Sequence, residues 1–205
     1  MLALAQKLAG GTDSNGTASE IDARLLAASA RRDQQAFATL VNRHYHVVYR
    51  VVWRMLNGHG DAEDVTQEAF LKLWNNPSQL REAGALRSWL IRVASNLATD
   101  RFRRTPKTAE IETESLEDGR LAAPVVLDRQ RVANRIDTAI ANLPERQRLA
   151  LTLVQYEQMT NISAAEVLDV TVDAFESLLA RARKTLKEQL SGEWRMMLAT
   201  LTDER

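Results

Sequence analysis

Apolar residues recur at Phe37, Leu40, Val41, Tyr45, Val48, Val52, Met55 and Leu56, and no proline interrupts the chain before Pro77. Steps of three and four keep side chains on one side of an α-helix, whereas a half-buried strand would need alternation. A chain patterned this way is committed to helices, and its architecture follows from where those helices stop. Asn57-Gly58-His59-Gly60 ends the first, and Asp61 is placed to N-cap the next. That helix turns Ala62, Val65, Ala69, Phe70, Leu73 and Trp74 inward and breaks at Asn75-Asn76-Pro77-Ser78. A third runs from about Ala85 to Arg104, with Leu86, Trp89, Leu90, Val93, Ala94 and Leu97 on one face. Residues 1–20, with Gly10-Gly11 and Ser14-Asn15-Gly16, lack this period and read as a flexible lead-in. A first domain over 21–105 is expected after it.

Residues 106–124 lie between Pro106 and Pro124, are polar and acidic, and carry no apolar period. They read as a linker. The helical pattern resumes near Val126 with Val132, Ile136, Ile140 and Leu143, and Pro144 suits the first position of a new helix bearing Leu149, Leu153 and Val154. Two more helices are predicted, about Ile162–Leu168 and Val172–Leu190, which gives a second domain over 125–191 and a tail over 192–205. No strand-like alternation occurs. The predicted fold is all-α: two small helical domains joined by a flexible acidic linker.

Composition excludes several classes of function. The 205 residues contain no cysteine, so disulfides and cysteine-ligated metal sites are ruled out. His44 and His46 fall on different faces of one helix and His59 stands apart, so no metal or other cofactor is expected. No apolar stretch approaches the roughly 18 residues that span a bilayer. Met1–Leu8 lacks the basic start of a signal peptide, so no membrane insertion and a cytoplasmic location are expected. There is no Gly-rich phosphate loop and no nucleophile–base pairing to suggest an enzyme. Lys+Arg and Asp+Glu both number 27, yet their distribution is uneven. Between Arg87 and Lys107 six cations accompany one acid, Asp100; between Thr108 and Arg120 five acids accompany one cation. Screening makes charge act locally, so the basic block can still meet a polyanion.

The second block ends in a helix-turn-helix pattern. Ala164, Ala165, Val167 and Leu168 form a short helix, and Asp169-Val170-Thr171 is the turn. Val172, Phe175, Leu178, Leu179, Ala182 and Leu186 are the inner stripe of a longer helix. In such a unit the second helix enters the major groove with its N-terminal residues, while later cations hold phosphates. A plain helical hairpin would show the same spacing.

The segment Asp61-Ala-Glu-Asp-Val-Thr-Gln-Glu-Ala-Phe-Leu-Lys-Leu-Trp74 resembles the core-binding segment of bacterial RNA polymerase sigma factors. Leu86-Arg-Ser-Trp-Leu-Ile-Arg-Val-Ala-Ser-Asn-Leu-Ala-Thr-Asp-Arg-Phe-Arg-Arg104 resembles their helix that melts and reads the minus-ten element. Leu143-Pro-Glu-Arg-Gln-Arg148 and the helix-turn-helix after it are similar to their minus-thirty-five-binding domain. Order and the short linker match the extracytoplasmic-function class of the sigma-70 superfamily. The resemblance implies that Asp61, Asp64, Gln67 and Glu68 dock on polymerase core. It further implies that Leu80, Arg81, Arg92, Asn96 and Arg103 meet minus-ten DNA, with Leu80, Arg81 and Asn96 framing a pocket for an unstacked base. Thr171, Asp173, Glu176, Ser177, Arg181 and Arg183 would face the minus-thirty-five element.

This chain departs from the family at several of these positions. The loop position held by Leu80 is often aromatic, the turn position held by Asp169 is often glycine, and Asp173-Ala-Phe-Glu-Ser-Leu178 replaces a more basic run. Asp169 can adopt the left-handed conformation that the turn requires. The partners implied are polymerase core, promoter DNA and an anti-sigma factor. Two other readings remain open on the residues alone: a sigma mimic that binds an anti-sigma factor without DNA, and a helix-turn-helix repressor.

Overall fold

A computed structural model describes residues 13–58, 60–77, 80, 83–104 and 134–191. All the regular structure among them is helical: α1 (Asp13–Ala30), α2 (Gln34–Met55), α3 (Ala62–Asn75), a 3-10 turn (Ala83–Ala85), α4 (Leu86–Arg104), α5 (134–141), α6 (Glu145–Gln155), α7 (Asn161–Leu168) and α8 (Val172–Gln189). The chain divides into two compact units, Met1–Ala98 and Thr99–Arg205, the division falling within α4. The expected linker, residues 106–124, lies outside the described residues.

In the first unit α2 is the central element, with α1 and α3 packed on it. Asp33 starts α2 in extended conformation, and its side chain accepts the Ala36 N–H at 3.0 Å. The helix ends where Asn57 and Gly58 turn to φ 56° and 80°. A Cβ on Gly58 would also stand 3.3 Å from the Trp53 ring, so glycine suits both the backbone and the space. Leu40, Val48, Val51 and Val52 are fully enclosed, together with Val65, Ala69 and Leu73 of α3 and Leu90, Ile91 and Ala94 of α4. Burying each of these larger aliphatic side chains contributes about 1.5–3 kcal/mol.

Four local expectations need correction. The first helix begins at Asp13, inside the stretch read as a lead-in. Buried Asp22, Leu26 and Ser29 anchor its second half, and extending an existing helix costs far less than nucleating one. Asp61 occupies the N-cap position of α3, but its backbone is already helical and its side chain makes no capping hydrogen bond. Pro144 lies one position before α6, in extended conformation. On α4, Ile91 is buried while Val93 and Leu97 are half-buried, because the contact stripe rotates by part of a turn. Trp89 is buried, as its place in the apolar stripe required.

In the second unit α6, α7 and α8 pack on one another. Leu149, Leu151, Leu153, Ala164, Ala165, Val167, Leu168, Phe175, Leu179 and Ala182 are buried there. Arg148 lies within this core, 2% exposed, and its Nη1 donates to the Ala141 carbonyl at the end of α5 at 2.9 Å. Burial pushes its pKa down from the usual arginine value, and nearby Glu145 opposes that shift. An arginine used to close a helix end is costly to enclose and costly to remove.

Candidate protein- and nucleic-acid-binding surfaces

The inner stripe of α3 is Ala62, Val65, Thr66, Ala69, Phe70 and Leu73, which leaves a continuous outer stripe. Asp64 and Gln67 are exposed there, and Asp61 and Glu68 are half-buried. Gln67 Nε2 donates to Glu63 Oε1 at 3.3 Å, and Lys72 Nζ stands 3.9 Å from Glu68 Oε1. Leu71 lies on the same outer stripe and is 56% exposed. A single exposed leucine is ordinary. Set one turn beyond Gln67 among polar neighbours, it has the form of an apolar anchor inside a polar rim. Its signal in the sequence is that it falls outside the inward stripe of its own helix.

The end of α3 is held firmly. Arg32, at φ 66° in the turn before α2, donates from Nη1 to the Trp74 carbonyl at 3.1 Å, with its guanidinium 5.2 Å from the ring centre. Phe37 packs on the same ring at 4.8 Å. Along α2 the rings of Tyr45, Tyr49 and Trp53 follow one another at 5.9 and 6.0 Å, and Tyr45 meets Phe70 of α3 at 6.4 Å. The outer stripe of α3 is therefore carried on a stiff helix pair, which suits docking without reorganisation.

On α4, Asn96 and Arg103 are exposed and Arg92 is half-buried, away from buried Leu86, Leu90, Ile91, Ala94 and Ala98. Spacings of four and seven put the three on one face. Cations that track a strand beside an amide able to receive a base suit single-stranded nucleic acid. Leu80 is half-buried, and its N–H meets the Pro77 carbonyl at 3.3 Å. Arg81, expected beside it, lies outside the described residues, as does His59.

The helix-turn-helix takes the geometry its spacing predicts, except that Val172, expected on the inner stripe of α8, is 36% exposed. Thr160 and Thr171 cap α7 and α8, each accepting a backbone N–H at 3.2 Å, from Ser163 and Ala174. Asp169 is left-handed, φ 53° and ψ 55°, where a glycine would sit without strain. Its N–H bonds to Glu166 O, and Val170 N–H to Ala165 O. Arg146 Nη2 donates to the Leu168 carbonyl at 3.0 Å and ties α6 to the turn. Buried Phe175, Leu179 and Ala182 face inward, so Thr171, Asp173, Glu176, Ser177, Arg181 and Arg183 are all exposed. Charge is graded along α8: acids in its first turns, and Arg181, Arg183, Lys184 and Lys187 beyond. Asn161, which sequence reasoning missed, donates from Nδ2 to Glu176 Oε1 at 3.1 Å.

Comparison with known proteins assigns both units. The family model for sigma-70 region 2 matches residues 40–108, and that for sigma-70 region 4 matches residues 133–186. The ECF RNA polymerase sigma factor SigW of Bacillus subtilis is 28% identical over 170 residues, covering 77% of this chain and 90% of that protein. The ECF RNA polymerase sigma-E factor of Escherichia coli is 30% identical over 169 residues, covering 77% and 88%. Among solved structures, CnrH in complex with the cytosolic domain of CnrY is similar with a TM-score of 0.63 at 25% identity, over 84% of this chain and 99% of that one.

Proposed function

The chain belongs to the sigma-70 family, in its extracytoplasmic-function branch, and on that premise we propose that it binds RNA polymerase core and directs it to promoters. The observation that carries this reading is the order of two sigma domains, the second presenting a capped helix-turn-helix with its reading face open. A sigma factor is a regulatory subunit, and the polymerase performs the chemistry. Among the described residues no helix is long and apolar enough to cross a membrane.

Within this reading each surface has a task. The outer stripe of α3, from Asp61 through Asp64, Gln67 and Glu68 to Leu71, meets polymerase core. The Arg92, Asn96 and Arg103 face of α4 takes the melted minus-ten strand, and Leu80 and Asn96 frame the pocket for an unstacked base, a role that the family resemblance extends to Arg81. The exposed face of α8 lies in the major groove of the minus-thirty-five element. An anti-sigma factor would hold this chain inactive by covering surfaces that polymerase needs.

Run-off transcription with purified core polymerase tests the reading. Transcripts should start at defined sites only when the chain is added. Core binding without any transcript would favour a sigma mimic. Tight, sequence-specific duplex binding without core would favour a repressor.

A further inference from the structure

The first turns of α8 are acidic where DNA-reading surfaces are ordinarily neutral or basic, and one acid is held in place. Glu176 accepts from Asn161 at 3.1 Å. Asn161 is the first residue of α7, just after the Thr160 cap, so the donor stands on a fixed turn. Glu176 is exposed with Asp173, Ser177 and Ala180, at the edge of the face beside buried Leu179. In a helix-turn-helix the N-terminal part of the second helix is the part that lies among base edges. In a unit docked that way, this position, and not acidity alone, would bring Glu176 near base edges.

An ionised carboxylate only accepts hydrogen bonds, and it has capacity for more than the one from Asn161. The major groove offers two kinds of donor, the amino groups of cytosine and adenine. Adenine presents its N7 acceptor beside the amino group, which would face the carboxylate unfavourably. Guanine and thymine present acceptors in the same groove. Cytosine N4 is the matching partner. Arg181, Arg183, Lys184 and Lys187 sit in later turns, where they can hold phosphates and offset the acid.

We propose that Glu176, positioned by Asn161, reads the amino group of a cytosine in the minus-thirty-five element and so sets promoter choice. The inference rests on the sigma-factor reading and on groove docking of α8. Asn161 is a positioning residue: it removes rotamer freedom from Glu176 before DNA arrives.

The test uses holoenzyme assembled from purified core and the full chain, transcribing a promoter library randomised through both upstream elements. Wild type should favour cytosine about tenfold at one minus-thirty-five position. Glu176→Gln should abolish that preference and move it toward adenine, whose N6 and N7 suit a carboxamide. Asn161→Ala should lower the cytosine preference about threefold at that position and leave the other positions alone. A merely structural role would depress every library member together. Cytosine preference that is absent in wild type, or that survives Glu176→Gln, overturns the inference while the sigma reading stands. No core-dependent transcript from any library member overturns both.

Discussion

Asp22 Oδ2 lies 2.9 Å from His44 Nε2, and the same carboxylate accepts from Arg43 Nε through Oδ1 at 2.8 Å. One acid of α1 is thus shared by two neighbouring residues of α2 and ties the two helices together. Burial lowers the His44 pKa most strongly; the charge and hydrogen bond of Asp22 oppose this, and Arg43 and Arg87 add to the lowering.

Removing the acid should be costly. Asp22→Ala leaves His44 and Arg43 without their shared acceptor, and the expected loss is about 2–3 kcal/mol. Urea denaturation of the full chain followed by far-UV circular dichroism measures it. A loss within about 0.5 kcal/mol, the range of ordinary surface substitutions, would mean that α1 is held by apolar packing alone.

The pH dependence follows from the sign of the shift. The folded His44 pKa lies below the unfolded value of 6.5, so the unfolded chain takes up the proton first on acidification. The stability contributed by His44 is full above pH 6.5 and declines as pH falls below it. The advantage of wild type over His44→Gln should therefore shrink from pH 7.5 to pH 5.5. An advantage that grew on acidification would show that Asp22 makes the imidazolium the favoured form.

The outer stripe of α3 should carry core binding. Asp64→Arg, Gln67→Ala and Leu71→Asp should each weaken competition for core polymerase, Leu71→Asp by about tenfold if it is a buried anchor at the interface. Their far-UV spectra should match wild type. Undiminished competition by all three would move the interface elsewhere.

Asn96 should matter after melting begins. Asn96→Ala should reduce permanganate reactivity of the open complex more than gel-shift binding of the closed one, since only the open state offers an unstacked base. Equal losses in both would give Asn96 a supporting role in α4.

Salt should separate the free protein from the holoenzyme. With zero net charge and acids at the start of α8, the isolated chain should bind promoter DNA weakly and with steep salt dependence. Core would align both domains and raise specific binding. Arg183→Ala should lower holoenzyme affinity and reduce the salt slope by about one unit if Arg183 touches a phosphate. An unchanged slope would place Arg183 off the backbone.

The helix boundaries were legible because their causes are local. The cap at Thr171, the Asn57-Gly58 stop and the left-handed turn at Asp169 each act over a few residues that sequence displays side by side, whereas Asp61 is placed as a cap and makes no capping hydrogen bond. Periodicity likewise separated the inner stripe of α3 from Asp64 and Gln67, and that of α8 from Asp173, Glu176, Ser177, Arg181 and Arg183. The two-domain sigma resemblance rested on the same continuous segments. Asp13 marks where local reasoning stopped short, since the helix there extends from an anchor farther along the chain.

Sequence by itself therefore determined an all-helical chain, the faces its helices turn outward, and the family to which its motifs belong. Tertiary structure alone decided which polar groups meet: Asp22 with Arg43 and His44, Arg148 with the Ala141 carbonyl, Asn161 with Glu176. It also decided that His44, on the stripe of Leu40 and Val48, is covered by Asp22 of α1. A helical period states which side of a helix a residue occupies. It says nothing of what stands opposite, because that depends on how separate helices pack, and hydrogen bonds tolerate errors of only a few tenths of an ångström.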